Sequence, residues 1–140
     1  MIDSSLLNYK NKKISIDDMK LDSKGKKILI STNEEKIWRH SFYATYFVVE
    51  IESKQVLPVS SNNKRLRNVK FSPDGKFVAY VREDNNLYTF DLTKKKQRRI
   101  SSSGSKTVSN GHFEWVYEEE FGSYDAYLWS PDSKNIAYWE

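Results

Sequence analysis

Three consecutive carboxylates, Glu118, Glu119 and Glu120, directly follow the apolar segment Trp115-Val116-Tyr117. Like charges this close repel one another, so the run either faces water or binds a cation. In a β-strand Glu119 and Glu120 point to opposite faces, whereas on a short helix or turn neighbouring side chains lie about 100° apart and can converge on one ligand. An ammonium group suits such a pair, because it has three donors and no acceptor. A solvated acidic turn is the alternative and the more common reason for such a run.

A second unusual group of side chains is Trp38-Arg39-His40-Ser41. An arginine guanidinium can grip a carboxylate with two hydrogen bonds or donate to a peptide carbonyl. Arg39 follows the first strand of a repeat and the glutamates precede the last one, so one surface could bring them together. The alternative for Arg39 is a purely structural ion pair.

Familiar catalytic and metal-binding signatures are absent from the sequence. No two of the five glycines are four positions apart, so the chain has no Gly-x-Ser-x-Gly nucleophile elbow. The two histidines, His40 and His112, belong to no metal-binding motif, and there is no glycine-rich phosphate loop. The sequence therefore predicts no catalytic residue, no metal ligand and no cofactor in this chain.

Composition indicates one folded domain without disulfides. The chain has 140 residues, of which 14% are aromatic and 30% charged, and this favours ordered, strand-rich structure. It has no cysteine, which excludes disulfides and thiolate metal sites. No apolar run approaches the roughly 20 residues of a membrane span, and residues 1–13 lack the apolar core of a signal peptide.

Basic residues concentrate at positions 94–99, in a chain whose net charge is only +4. Nucleic-acid binding requires a wider basic face with aromatic side chains interleaved to stack bases. We therefore predict a solvated turn at 94–97 and no nucleic-acid partner.

A weak repeat organises the chain, with copies at residues 22–25, 72–75 and 130–133. The second copy reads Ser-Pro-Asp-Gly, in which proline presets φ, aspartate caps the turn and glycine takes the left-handed position. The third copy has Ser133 at the glycine position, at a small expected cost in strain. Each copy is followed by an apolar run, so each predicts a tight hairpin.

The strand after the second turn, residues 77–81, is apolar on both faces, which is typical of a strand between two layers. Further strands are predicted at 42–51, 56–59 and 87–92, with a fourth strand of the second unit beginning at Arg98. Gly25 and Gly75 lie 50 positions apart and Asp74 and Asp132 lie 58 apart, close to the length of a propeller blade. The fold class predicted is all-β: a partial β-propeller of two to three blades of four-stranded antiparallel sheet. Its two edges are open, so we expect the arc to belong to a longer chain or to associate with itself.

These motifs resemble the dipeptidyl peptidase IV family of prolyl oligopeptidase-like serine peptidases, through nearly the whole chain. The strongest match is Asn110-Gly111, then residues 115–120, then the turn at 129–132. The second is residues 38–41 followed by the strand through Tyr43, Thr45 and Tyr46. The repeated turns alone are weak indicators, but the two other motifs in this order are specific.

The resemblance implies an eight-bladed propeller that caps an α/β-hydrolase domain, with residues 1–140 as the N-terminal portion of the propeller. The catalytic triad then lies outside this chain, which is expected to be inactive alone. Family members release N-terminal dipeptides and prefer proline or alanine as the second residue. By matching position, Glu119 and Glu120 bind the α-ammonium of the substrate. Arg39 reaches the carbonyl of the P2 residue and helps to order the glutamates, and Glu118 is structural.

The resemblance also implies partners and a location. The expected partners are a peptide with a free N-terminus, the rest of the propeller and the hydrolase domain. For the oligomeric state, a homodimer and a monomer remain alternatives. The parent protein is expected to be extracytoplasmic: periplasmic, secreted or membrane-anchored. Glu114 stands where many relatives have aspartate, which concerns the cap of the local helix. The alternative function is a non-catalytic WD40-like or TolB-like propeller module whose acidic cluster binds a cationic partner.

Overall fold

The computed structural model describes residues 7–60 and 65–140. These residues contain twelve strands and one helix in the following order: β1 Asn8–Tyr9, β2 Lys12–Lys13, β3 Asp18–Leu21, β4 Lys27–Lys36, β5 Phe42–Glu50, β6 Val56–Pro58, β7 Leu66–Phe71, β8 Phe77–Arg82, β9 Leu87–Asp91, β10 Lys96–Arg99, α1 Trp115–Phe121, β11 Tyr127–Trp129 and β12 Ile136–Tyr138.

The strands form two antiparallel four-stranded units and the start of a third. The first unit has the order β3-β4-β5-β6 and the second the order β7-β8-β9-β10. A single bridge, Ala44 to Leu66, joins β5 to β7. β11 and β12 pair as a separate hairpin, and β1 and β2 form another at the N-terminal end of the described chain. This arrangement confirms the all-β, partial-propeller fold.

Apolar side chains are buried on both faces of the inner strands. On β8, Val78 and Tyr80 pack into the cluster shared with the first unit, while Ala79 and Val81 pack against Tyr127 of β11. β4 behaves in the same way, because its alternate side chains enter two different clusters. Each unit is therefore a layer with hydrophobic neighbours on either side, as the unbroken apolar runs indicate.

The repeated turns have the predicted chemistry and also contact one another. Asp74 Oδ1 accepts the amide of Lys76 at 3.1 Å, and Asp132 Oδ1 accepts the amide of Lys134 at 3.1 Å. Ser133 has a φ of 62°, as expected for a residue in the glycine position. Its hydroxyl accepts the amide of Asp74 at 2.9 Å, so this serine links the third turn to the second.

The basic segment differs from the prediction at its boundary. β10 already begins at Lys96, opposite Asp91, so the turn covers residues 92–95, two positions earlier than the predicted 94–97. The reason is that Asp91 Oδ1 accepts the amides of Thr93 and Lys94, at 2.9 and 2.8 Å, which closes a tight turn. All four residues of β10 are exposed.

The helix α1 lies in the long connection between β10 and β11. It begins after Glu114, whose extended backbone has a φ of −91° and whose side chain makes no capping hydrogen bond. It ends at Gly122 in the left-handed conformation, with a φ of 63°. No helix among the described residues has the length and apolar character needed to cross a membrane.

Candidate functional site

The acidic run lies on α1, so its side chains project in different directions around a helix. Glu118 is 1% exposed, whereas Glu120 lies at the surface and Glu119 is intermediate. The three glutamates therefore have three different environments. The burial of Glu118 must be compensated, because an ionised carboxylate is costly to remove from water.

The Glu118 carboxylate is held by the turn between β4 and β5. Its Oε1 accepts the backbone amides of His40 and Ser41, the latter at 2.9 Å. Its Oε2 accepts the Ser41 hydroxyl at 2.7 Å. We call this set of three hydrogen bonds the Glu118 clasp. It joins the first four-stranded unit to α1.

The surroundings of Glu118 favour the ionised carboxylate. Burial raises its pKa, but the Ser41 hydroxyl, the two backbone amides and the charge of Arg67 together outweigh burial, and the pKa lies below its usual value. The clasp therefore holds an anion and not a neutral acid.

Arg39 and Glu119 form an ion pair next to the clasp. Arg39 Nη2 lies 2.9 Å from Glu119 Oε2. The Arg39 side chain is 67% exposed and that of Glu119 21% exposed. A pair this accessible contributes about 0–1 kcal/mol to stability. The pair therefore matters for its geometry, since it places a largely exposed guanidinium beside a carboxylate.

Glu120 adds an exposed carboxylate immediately after Glu119. None of the ion pairs found among residues 7–60 and 65–140 includes Glu120. The predicted site residues thus fall into one region: Arg39 contacts Glu119, and Glu120 follows on the same helix. An arginine donor beside two carboxylate acceptors is suited to a ligand that carries both an ammonium group and a carbonyl.

Arg67 is a buried cation that the sequence analysis did not single out. It lies on β7, is 2% exposed, and its Nε and Nη2 atoms have no hydrogen-bond partner among the described residues. A polar pair, Arg67-Asn68, interrupts the apolar pattern of this strand and is the only sequence signal of its special position.

His112 holds the segment that leads into α1. Its Nε2 lies 3.0 Å from Asn85 Oδ1, and its Nδ1 lies 3.1 Å from the carbonyl oxygen of Phe113. Burial, assisted by the charge of Arg67, lowers the pKa of His112 to about 4. The imidazole is therefore neutral at physiological pH. Its contacts indicate a structural role.

Aromatic side chains cover a different part of α1. The rings of Phe113 and Tyr117 stack at 4.9 Å, and Trp139 packs against Phe113 at 5.8 Å. A cavity of about 590 Å³ lies among these rings and does not include Arg39, Glu119 or Glu120. Within the described part of the chain, no group of three His, Cys, Asp or Glu residues is arranged to hold a metal ion.

Residues 22–140 match the family model for the dipeptidyl peptidase IV (DPP IV) N-terminal region. The chain belongs to this family. A solved structure titled dipeptidyl peptidase 4, from Porphyromonas gingivalis, superposes with a TM-score of 0.80 at 35% identity, covering 85% of this chain and 17% of that one. The family resemblance inferred from the sequence is thereby confirmed.

Curated relatives carry the name probable dipeptidyl-aminopeptidase B. The Podospora anserina protein is 43% identical over 116 residues, and the Emericella nidulans protein 39% identical over the same length. The match covers 81% of this chain but only 12% and 13% of those relatives. The chain therefore corresponds to a small part of its relatives, which are named as peptidases.

Proposed function

We propose that this chain is the part of a β-propeller that gates substrate access and anchors the substrate N-terminus in a serine exopeptidase releasing N-terminal dipeptides, Xaa-Pro or Xaa-Ala. The observation that carries this proposal is the 2.9 Å contact between Arg39 and Glu119, which unites the two motifs on which the family resemblance rests. The clasp between Ser41 and Glu118 supports the same placement from within the fold.

Each residue has a distinct task in this proposal. The carboxylates of Glu119 and Glu120 accept hydrogen bonds from the α-ammonium and balance its charge. Arg39 keeps Glu119 in place and donates a remaining N–H to the carbonyl of the P2 residue. Charge-assisted hydrogen bonds of this kind are roughly twice as strong as neutral ones.

The anchor also explains why two residues are removed at a time. An ammonium held at a fixed distance from the nucleophile leaves only the second peptide bond in reach, so the carboxylates set the length of the product. Binding energy gained at the amine positions the scissile carbonyl, which lowers the barrier by orientation. Longer or shorter spacing places the wrong bond at the nucleophile.

The remaining parts of the enzyme belong to the parent protein. The rest of the propeller and an α/β-hydrolase domain supply the Ser, Asp and His of the triad, so residues 1–140 alone release no dipeptide. The parent works outside the cytoplasm on peptides with a free N-terminus. A membrane anchor or a secretory leader accounts for that location.

The test is a set of variants in the full-length protein, assayed on an Xaa-Pro fluorogenic amide. Glu119→Gln and Glu120→Gln should each lower kcat/KM by about 30-fold or more, because truncating one partner of a desolvated charge pair costs about 2–5 kcal/mol. An N-acetylated substrate should not be cleaved by the unaltered protein.

The matched control is Glu52→Gln, since Glu52 is an exposed glutamate in the turn before β6. It should leave kcat/KM unchanged. Values within twofold of the unaltered protein for both Glu119→Gln and Glu120→Gln, or cleavage of the blocked substrate, are incompatible with an amine anchor. Absence of labelling by a serine-directed phosphonate contradicts the peptidase itself and favours a binding module.

A further inference from the structure

The buried guanidinium of Arg67 lies where the second four-stranded unit meets the first. Arg67 is 2% exposed, at the start of β7, directly after the Leu66 bridge to Ala44. Burying a charge is costly unless an opposite charge lies near. A residue in this position therefore needs a physical reason beyond packing.

A β-bulge next to Arg67 connects its strand to both ends of the α1 segment. The pairing of β7 with β8 shifts between Arg67 and Lys70, and Asn68 has a φ of 53°. The Asn68 amide group donates to the carbonyl of Gly111 at 3.3 Å and to that of Tyr124 at 3.0 Å. Gly111 precedes α1 and Tyr124 follows it, so the bulge fixes the helix from both sides.

On its other side Arg67 faces the strand that follows the Glu118 clasp. The Tyr43 ring lies 5.9 Å from the Arg67 guanidinium carbon and 4.8 Å from that of Arg65. Tyr43 is two positions after Ser41 on the chain. β7 is thus connected through Arg67 to the strand that follows one half of the clasp, and through Asn68 to the segment that contains the other half.

The buried charge of Arg67 is compensated by the Tyr43 side chain, through its charge and a hydrogen bond, and by the nearby charges of Glu118 and Asp125. Burial lowers the pKa of Arg67, while Tyr43, Glu118 and Asp125 act in the opposite direction. The Nε and Nη2 atoms have no hydrogen-bond partner in the described structure, so the interaction with Glu118 does not depend on a bond from either. A cation held in this way attracts the buried carboxylate without competing for the lone pairs that Ser41 and the His40 amide use.

We propose that Arg67 is a positioning residue, whose buried charge holds Glu118 in its clasp on the His40–Ser41 turn and thereby fixes Arg39 beside Glu119. Arg67 itself does not reach the ligand. This inference rests on the proposed function, because substrate binding at Arg39, Glu119 and Glu120 is its readout.

The test compares Arg67→Met, which removes the charge but retains the length of the side chain, with Arg67→Lys, which retains a charge. Both are made in the full-length protein and assayed on an Xaa-Pro fluorogenic amide. Arg67→Met should raise KM about tenfold or more, with kcat within threefold, because a displaced anchor weakens substrate binding. Arg67→Lys should recover most of that loss.

Arg65→Met is the matched control. Arg65 stacks on the same Tyr43 ring but is 42% exposed and pairs with Glu35 and Glu83 at the surface. It should leave KM unchanged. A merely structural role for Arg67 lowers the folded fraction, which reduces the apparent kcat with KM unchanged, and that result overturns the proposal. If Arg67→Met does not fold, Arg67→Gln replaces it as the variant without charge. Arg67→Gln should then raise KM, and Arg67→Lys should recover most of that loss.

A double-variant cycle shows whether Arg67 acts through Glu118. In a Glu118→Gln background, Arg67→Met should change KM by less than twofold, since the clasp has already lost its anion. Independent, multiplicative effects overturn the proposal. If Glu119→Gln raises KM and Arg67→Met does not, only the role of Arg67 fails. If neither variant alters kcat/KM, the proposed amine anchor fails as well.

Discussion

The Ser41 hydroxyl donates to Glu118 Oε2 at 2.7 Å across 77 positions of the chain. This contact joins the β4–β5 turn to α1. It also lies next to the exposed ion pair of Arg39 and Glu119, because Arg39 is two positions before Ser41 and Glu119 directly follows Glu118. A buried, fully bonded carboxylate thus fixes the spacing of an exposed pair that has little stability of its own.

Substitution within the clasp should loosen the β4–β5 turn locally. Glu118→Gln retains the shape but loses the charge and leaves Arg67 without this anion, so we expect a cost of about 3 kcal/mol. Ser41→Ala removes one hydrogen bond to a charged acceptor and should cost about 2 kcal/mol. The measurement is the free energy of opening at the Ser41 amide, from hydrogen exchange of the full-length protein.

Ser53→Ala is the control for Ser41→Ala, because the Ser53 hydroxyl also donates to a glutamate, Glu50, but at 3.2 Å and at an exposed site. Its effect should stay within about 0.5 kcal/mol. Equal effects of the two serine substitutions show that the clasp contributes no more than a surface hydrogen bond.

Acidification should destabilise the region around His112. The folded-state pKa is lowered to about 4, below the roughly 6.5 of an unfolded histidine. The unfolded state therefore binds the proton first. The stability from the neutral imidazole is fully present above about pH 6.5 and declines as pH falls towards 4, by roughly 3 kcal/mol in total. The measurement is the opening free energy at the Gly111 amide between pH 7 and pH 4, corrected for intrinsic exchange rates.

The variant His112→Gln isolates this contribution, since its amide can still bond Asn85 but does not titrate in this range. Its pH dependence between 4 and 6.5 should be flatter than that of the unaltered protein. The same slope in both proteins assigns the acid sensitivity to other groups.

Two glycines in equivalent turns should respond differently to alanine. Gly75 has a φ of 71°, and a Cβ there lies 2.8 Å from Asp22 Oδ2. Asp22 Oδ1 in turn accepts the amides of Lys26 and Lys27 at 2.7 and 2.9 Å, so Gly75→Ala disturbs both turns. Gly25 has a φ of 65°, and a Cβ there meets nothing within 4 Å.

We therefore expect Gly25→Ala to cost about 1 kcal/mol, from the left-handed conformation alone, and Gly75→Ala about 1–2 kcal/mol more. Thermal melting of the two full-length variants gives the order. A Gly25→Ala variant that melts at or below the temperature of Gly75→Ala contradicts the contact between the turns.

The helix start offers a stabilising substitution. Glu114 is the N-cap residue of α1 but makes no capping hydrogen bond from its side chain. Aspartate is one methylene shorter and can accept the amide of Val116 or Tyr117, so Glu114→Asp should stabilise the first turn by about 0.5–1 kcal/mol. Hydrogen exchange at those two amides measures the gain. Glu114→Gln is the control and should give none.

The local pattern of the sequence predicts the hairpins, because turn residues act over a few positions. For the acidic run it leaves a short helix and a turn as alternatives, and the structure has a helix there. Proline and aspartate shape the turns at 72–75 and 130–133, with Gly75 at the left-handed position of the first and Ser133 at that of the second. The apolar run at 77–81 gives the two-sided burial of β8. β10 begins earlier than the sequence predicts, because Asp91 accepts the amides of Thr93 and Lys94 and so starts the turn at residue 92, whereas the lysine-rich composition indicates a turn from residue 94.

Long-range partners are not predictable in this way. Nothing near Ser133 in the sequence indicates that its hydroxyl accepts the amide of Asp74. This hydrogen bond links two turns at a position where the sequence predicts only a small cost in strain. The burial of Arg67 likewise depends on a bulge at Asn68 and on Tyr43 of another strand. Pairings over such distances depend on how the units pack, and a single sequence does not show that packing.

Energetic coupling should distinguish the two candidate anchor residues. Arg39 contacts Glu119 at 2.9 Å, whereas the ion pairs of the described residues do not join it to Glu120. A double-variant cycle on kcat/KM for Arg39→Ala with Glu119→Ala should therefore show a coupling of about 1 kcal/mol or more, and the cycle with Glu120→Ala less than about 0.5 kcal/mol. Because the Arg39 side chain is exposed, the first coupling should also weaken as salt rises from low to high concentration. Equal couplings in the two cycles contradict a specific role of Arg39 in ordering Glu119, and indicate that Arg39 acts only through the substrate that both glutamates bind.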